Sequence, residues 1–176
     1  SHYEDEQKAP LCNNGASVET ILKAYDCDPG PAPIAQHQTD IDHAFSANTV
    51  EGIIQRLGAM NSDWANEQID TLATKSPQTL KVALRQMMMG AHARTFAENM
   101  ETEYRIAARV VQRHDFLEGV RAVIVDKDNA PKWNPPTLND VSAATLQEIF
   151  SPLPPGEEWT PLPQEAIKKS MKKVGA

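Results

Sequence analysis

The sequence from His114 to Pro135, HDFLEGVRAVIVDKDNAPKWNP, decides how the rest of the chain is organised. Asp115 is followed three residues later by Glu118, the spacing of a capping box in which two side chains satisfy free backbone amides. This pattern predicts a helix that begins at Phe116. The helix must end before Pro131, since proline lacks the amide hydrogen that a helix interior needs. Its apolar face is predicted to contain Phe116, Val120, Val123 and Ile124.

Further helices are predicted from capping residues, prolines and apolar periodicity. Asn48 and Glu51 form a second capping-box pattern, and Gly58 is predicted to end that helix. Ser76 followed by Pro77 is typical of a helix start, because proline at the first helical position removes an amide that would have no partner. The other predicted starts are Ser17, Ile41, Ser62, Thr95 and Ser142. The fold class is therefore all-α: an irregular bundle of about seven helices, without a β-rich core and with its packing centre in residues 77–126.

Composition divides the chain into three parts. Residues 1–16 are polar and charged and are interpreted as a leader or the remnant of a removed tag. Residues 17–150 contain the predicted helices. Residues 151–176 are proline-rich and then basic, with a lysine cluster that is interpreted as the solvated face of a terminal helix. The cluster consists of Lys168, Lys169, Lys172 and Lys173.

Charge and hydropathy exclude two classes of partner. The net charge of −7 argues against a nucleic-acid surface, because phosphate binding needs a clustered basic face. No run of about 20 apolar residues is present, so no membrane partner is predicted. Cys12 and Cys27 are predicted to be free thiols, as is usual for two cysteines in an acidic protein of ordinary composition.

Four segments carry a family resemblance. They are DF-EGVRA-DKD-P-W-P within residues 114–135, FSANTVEGII at 45–54, KSPQTLKVALRQM at 75–87 and METEYRIA at 100–107. Together they resemble the C-terminal region of the 3-hydroxyisobutyryl-CoA hydrolases, a branch of the crotonase (enoyl-CoA hydratase/isomerase) superfamily. The resemblance covers roughly residues 17–150.

The resemblance implies a thioester hydrolase of valine catabolism that acts on an acyl-CoA substrate, is mitochondrial and needs no further cofactor. In that family the oxyanion-hole glycines and the acid/base carboxylates belong to a preceding β-rich core. This chain contains no Gly-Gly pair and no alternating strand pattern. We therefore expect a helical part, inactive by itself, that covers the acyl-CoA pocket and packs against the missing N-terminal core and other subunits of a homo-oligomer. The alternative is a non-catalytic helical scaffold derived from such an enzyme.

Two cofactor-binding residues are implied by the resemblance. In crotonase-like proteins the matching helix often places a lysine and an apolar side chain near coenzyme A, which would be Lys127 at a phosphate and Val123 beside the adenine. The alternative is that Asp126 and Asp128 form a local salt bridge that fixes the turn before Pro131. Arg121 is predicted to brace neighbouring carbonyl or carboxylate groups.

No catalytic residue is assigned. His114 beside Asp115 could form a base and its orienting group, but no nucleophile is indicated, and contact with local carbonyl groups is the preferred interpretation. Glu101 and Glu103 are interpreted as charges on a helix surface, and Glu118 as a cap.

No metal site is assigned either. His37 and His43 enclose Asp40 and Asp42, but the histidines lack the four-residue spacing and the cysteine partner of common sites. Met87, Met88 and Met89 could line an adaptable groove, whereas the helical spacing of the first two favours core packing.

Overall fold

The structure is a computed structural model that describes residues 18–161. Over this range the regular secondary structure is entirely helical, which confirms the all-α prediction, and it contains eight α-helices. They are α1 (Val18–Ala24), α2 (Gln38–Phe45), α3 (Val50–Met60), α4 (Asp63–Ala73), α5 (Pro77–Gly90), α6 (Phe96–Val110), α7 (His114–Val120) and α8 (Ala143–Phe150). Short 3₁₀ segments occupy Pro33–His37 and Leu138–Asp140, and a π-helical turn, Arg121–Val125, continues directly from α7.

The chain divides into two compact units between Asp40 and Ile41. In its described part the first unit contains α1 and the 3₁₀ segment Pro33–His37. The second unit contains α3 to α8 and all the residues discussed below as a site. The predicted leader, the Ser17 cap and the lysine cluster near the end of the chain lie outside the described residues.

Most of the predicted helix starts are confirmed by capping hydrogen bonds. Each capping hydroxyl accepts from the backbone amide three residues later, which satisfies one of the unpaired donors of the first turn. The pairs are Ser62 with Ala65 at 3.2 Å, Ser76 with Thr79 at 3.1 Å, Thr95 with Glu98 at 3.1 Å and Ser142 with Thr145 at 3.0 Å.

The predicted boundaries of α3 are wrong at both ends. Thr49, rather than Asn48, has the extended backbone of a cap, and its hydroxyl accepts from the Gly52 amide at 3.0 Å. The helix passes through Gly58 and ends at Met60, followed by Asn61 in the left-handed conformation with φ of 50°. Asparagine tolerates this conformation better than most residues, so it replaces glycine as the helix terminator here.

Two apolar clusters form the core of the part of the chain that the structure describes. The first joins residues of α3 and α4 and the end of α2: Ala44, Ala47, Ile53, Leu57 and Ala65. The second joins α5, α6 and α8 through Val82, Ile106, Ile149 and Phe150. Helix α5 contributes Leu84 to the rim of the first cluster and Val82 to the second. The predicted packing centre, residues 77–126, is therefore wrong, because the first cluster comes from preceding helices and the end of the range is largely exposed.

Helix α7, at the start of the segment 114–135, does not use the predicted capping box. It begins at His114, and its capping residue Arg113 makes no side-chain capping bond. Asp115 is 4% exposed and binds groups from other segments, while Glu118 binds Arg121. The spacing matched a capping box, but both carboxylates bind other groups. Asp115 accepts from the Ser76 hydroxyl and the Asn134 amide, and Glu118 accepts from Arg121 and the Lys132 amide.

The apolar residues of α7 and the π-helical turn are exposed to solvent. We name this surface the α7 apolar face, formed by Phe116, Leu117, Val120, Val123, Ile124 and Val125. The exposed fraction ranges from 39% at Val120 to 67% at Val125. Six exposed apolar side chains within ten residues are more than the singly scattered apolar residues that are normal on a soluble monomer, and they point to an interaction site.

The methionine run of α5 is also exposed. Met87 is 75% exposed, and Met88 and Met89 are 43% and 39% exposed. The predicted core packing of Met87 and Met88 is therefore wrong. The residues that α5 buries, Pro77, Gln78 and Val82, all lie in its first half.

Candidate functional site

Arg121 gathers three carboxylates around the turn that contains Lys127. Its guanidinium donates to both oxygens of Glu118, at 2.9 and 2.8 Å, and to Asp126 and Asp128, each at 2.7 Å. It also donates to the Ala130 carbonyl at 3.2 Å. The prediction that Arg121 braces carbonyl and carboxylate groups is confirmed. Both aspartates fix the turn through this arginine.

The side chain of Lys127 projects from this braced turn. Lys127 has a left-handed backbone with φ of 57°, which is uncommon for a residue with a side chain. Both neighbouring aspartates pair with Arg121, and over residues 18–161 no carboxylate lies within salt-bridge distance of the Lys127 ammonium. Val123 is 57% exposed. Binding of coenzyme A by Lys127 and Val123 stays a prediction.

Two carboxylates of this cluster, Glu118 and Asp128, have lowered pKa values. The pKa of Glu118 is lowered from 4.5 to about 2, first by hydrogen bonds from Arg121 and then by the Lys132 amide at 2.7 Å. The pKa of Asp128 is also lowered, first by the Ala130 amide at 2.9 Å and then by Arg121. A group that remains ionised at neutral pH is poorly suited to act as a general acid. Glu118 therefore serves to hold the turn.

Replacing Glu118 with glutamine is expected to reduce the loss of stability in acid. Because the pKa of Glu118 is about 2 in the folded state and near 4.5 in the unfolded state, its stabilising contribution is complete above about pH 4.5 and declines as the pH falls toward 2. Urea unfolding at pH 5.5 and pH 3 measures this difference. A pH dependence in Glu118→Gln as steep as in the original protein would show that the lowered pKa does not contribute.

Ser76, Asp115 and His114 resemble a catalytic triad in composition but not in order. The Ser76 hydroxyl donates to one oxygen of Asp115, while the other accepts from the Asn134 amide at 2.8 Å and lies 3.1 Å from His114 Nδ1. A triad needs histidine between the nucleophile and the acid, whereas the carboxylate is central here. These bonds join the starts of α5 and α7 to the turn at Asn134. The predicted contact of His114 with carbonyl groups is wrong, because His114 begins a helix, where amides rather than carbonyls are unpaired.

The other candidate residues lie apart from this cluster. Glu101 pairs with Arg105 at 3.8 Å on the surface of α6, as predicted. His37 Nδ1 lies 3.9 Å from Asp40. Between residues 18 and 161, no group of three or more histidine, cysteine, aspartate or glutamate side chains could hold a metal ion. The Cys27 thiol is exposed, and Cys12 lies outside the described residues.

A membrane-spanning segment is likewise not found among the helices that the structure describes.

Sequence patterns did not single out Arg85. Its guanidinium carbon lies 4.5 Å from the centre of the Phe150 ring, a cation–π contact. Arg85 lines two cavities, which also share Met88. Arg85 lies one helical turn after Lys81 and just before the methionine run, so Lys81 and Arg85 are on the same side of α5. This spacing is the feature of the sequence that could have indicated a role for Arg85.

These features define a helical domain that exposes an apolar helix face and a lysine-bearing turn. The chain belongs to the enoyl-CoA hydratase/isomerase family, which it matches over residues 4–150. It is 44% identical to mitochondrial 3-hydroxyisobutyryl-CoA hydrolase of Rattus norvegicus over 118 residues, covering 67% of this chain and 30% of the relative. For the Bos taurus protein of the same name, the identity is 42% over 148 residues, covering 83% and 38%.

Solved structures give the same fold. A carnitinyl-CoA dehydratase from Mycobacterium thermoresistibile matches with a TM-score of 0.76 and 33% identity, over 86% of this chain and 43% of the other. An enoyl-CoA hydratase from Rhodobacter sphaeroides matches with a TM-score of 0.68 and 28% identity, over 81% and 42%. The chain thus spans between about a third and under a half of the length of these relatives.

Proposed function

We propose that this chain is the C-terminal helical part of an acyl-CoA thioester hydrolase similar to 3-hydroxyisobutyryl-CoA hydrolase. The observation that carries the proposal is the 42–45% identity to mammalian proteins of that name. The matched dehydratase and hydratase structures share the fold at 33% and 28% identity. Sequence similarity therefore favours hydrolysis over hydration. The names of these relatives also support a mitochondrial location.

In this proposal the helical part covers the acyl-CoA pocket and packs against other parts of the enzyme. The α7 apolar face supports it, because six large apolar side chains exposed together gain free energy when another surface covers them. The surfaces that cover the α7 apolar face would be the β-rich core of the same enzyme and a neighbouring subunit. Polarisation of the thioester carbonyl by an oxyanion hole then belongs to that core, and this chain alone is inactive.

Coenzyme A is proposed to contact Lys127 and Val123. The support is electrostatic: Arg121 engages the carboxylates of Asp126 and Asp128, so the Lys127 ammonium is not paired with either of them. A lysine ammonium acts as a point charge toward phosphate. Val123 offers an exposed apolar surface two helical positions after Arg121.

A chimaeric enzyme tests the proposal. The part of the rat hydrolase that this chain matches is replaced by the matching residues of this chain, and thiol release from 3-hydroxyisobutyryl-CoA is measured. Turnover by the chimaera with none by the chain alone supports the proposal. Turnover by the chain alone would contradict it. Inactivity of a folded chimaera would instead favour the non-catalytic scaffold.

Lys127→Ala in the active chimaera is expected to raise KM for the acyl-CoA about fivefold and to leave kcat unchanged. The reason is that an exposed ionic contact contributes about 1 kcal/mol, and a contact made equally in the ground and transition states affects KM alone. Lys132→Ala is the control, since Lys132 is an exposed lysine five residues further along the chain. Equal effects of the two substitutions would show that Lys127 has no specific contact with the coenzyme.

A further inference from the structure

A cavity of about 290 Å³ lies between the start of α3, the middle of α5 and α8. Its apolar wall is formed by Val50, Leu84, Met88 and Leu146. Lys81 and Arg85 stand at the same cavity. A concave apolar site with a few convergent polar groups is the usual form of a small-molecule site, and the volume is near the lower end of their range of about 300–1,000 Å³.

Arg85 has hydrogen-bonding capacity that the described residues do not use. Its guanidinium stacks on the Phe150 ring, and Phe150 is itself 8% exposed, so the arginine rests on a buried surface. Over residues 18–161 no carbonyl or carboxylate accepts a hydrogen bond from Arg85, although the side chain is partly buried. A guanidinium presents five donors in a planar arrangement that matches a carboxylate with two parallel bonds. The stacking contact therefore holds these donors at the cavity without occupying them.

The acidic side chains near Arg85 are already paired. Glu51 lies 2.8 Å from Lys81 Nζ, and the pKa of Glu51 is lowered chiefly by that hydrogen bond. Glu98, which lines the adjoining cavity, accepts from the Arg94 amide at 2.8 Å. Arg85 is consequently the positive charge at this cavity that is not balanced by a carboxylate in the described part of the chain.

The adjoining cavity extends the apolar surface. It has a volume of about 500 Å³, shares Arg85 and Met88 with the first, and continues past Met89, Ala93 and Thr102. Met88 lies at the junction of the two cavities and is 43% exposed. Because methionine is flexible, its side chain can adapt to an aliphatic chain that passes it.

We propose that this pair of cavities binds a small amphipathic carboxylate. Its carboxylate accepts hydrogen bonds from Arg85, and its aliphatic chain packs against Leu84, Met88 and Leu146. The site is separate from the Lys127 turn and does not depend on the proposed acyl-CoA hydrolysis.

The test uses the 176-residue chain and octanoate as the probe, with binding followed by ¹H–¹⁵N NMR titration. Octanoate is expected to shift amide signals of α5 and α8, and 1-octanol, which lacks the charge, is expected to bind at least tenfold more weakly. Arg85→Gln should weaken octanoate binding at least tenfold, because it removes a charge-assisted hydrogen bond.

Two further variants separate loss of binding from loss of folding. Met88→Glu puts a carboxylate at an exposed position of the cavity, and it should weaken octanoate binding at least tenfold while circular dichroism stays unchanged. Lys75→Gln removes a positive charge outside both cavities and should leave the affinity unchanged. Absence of octanoate binding, binding of octanol with equal affinity, or an equal loss of affinity in Lys75→Gln would each overturn the proposal.

Discussion

Asp115→Ala is expected to lower the free energy of unfolding by about 3 kcal/mol. The carboxylate is 4% exposed and accepts from the Ser76 hydroxyl and from the Asn134 amide. Removing it leaves these two donors without their acceptor, and each such group costs about 1–3 kcal/mol when buried. The substitution also releases the contact with His114 Nδ1. Urea unfolding followed by circular dichroism measures the effect.

Two variants give this measurement its controls. Asp126→Ala removes an exposed carboxylate whose partner Arg121 keeps Glu118 and Asp128, so it is expected to cost less than about 1 kcal/mol. Asp115→Asn keeps the shape of the side chain and one acceptor oxygen. Its loss of unfolding free energy is expected to fall between those of Asp115→Ala and Asp126→Ala. If Asp115→Ala were no more destabilising than Asp126→Ala, Asp115 would not be joining α5, α7 and the Asn134 turn.

Leu57→Ala is also expected to lower the free energy of unfolding by about 3 kcal/mol. Leu57 is fully buried in the first core cluster. Truncation of a buried leucine loses its transfer free energy and leaves a cavity, with a total cost of about 2–5 kcal/mol. The small neighbours Ala44 and Ala65 are both fully buried and cannot extend to fill the space. Denaturant unfolding at fixed protein concentration gives the value.

Leu117→Ala is the matched control for this substitution. It removes the same atoms from a side chain that is 61% exposed on the α7 apolar face, so the expected change is within about 0.5 kcal/mol. A loss as large as that of Leu57→Ala would mean that the chain covers this face in solution by associating with itself. Repeating the unfolding of both variants at several protein concentrations distinguishes a monomer from a self-associated chain, because only the stability of the associated chain depends on concentration.

The sequence predicted the helices well where the signals are local. Ser62, Ser76 with Pro77, and Ser142 each start a helix as predicted, because a capping hydroxyl acts on an amide only three residues away. Arg121 was predicted to brace nearby groups, and its partners lie within nine residues along the chain. Its neighbours along the chain were enough to indicate this role.

The sequence did not predict which apolar faces are buried. The periodicity of Met87 and Met88 in α5 shows an apolar stripe, but both residues are exposed. The same periodicity occurs in the α7 apolar face, which is exposed as well. A repeat of 3.6 residues shows that a helix has an apolar side, and it contains no information on which surface covers that side.

The all-α class, most helix starts and the family follow from the amino-acid sequence, since these depend on local chemistry and on long matched motifs. The partners of Asp115, Glu118 and Arg85 follow only from the packing of the folded chain. Asp115 and Glu118 have the spacing of a capping box, yet Asp115 meets Ser76 from 39 residues away and Glu118 meets the Lys132 amide from 14 residues away. Arg85 rests on Phe150, a contact that likewise forms only when α5 and α8 pack. A side chain binds the partners that the folded chain brings nearest, and sequence spacing specifies only those within a helical turn or two.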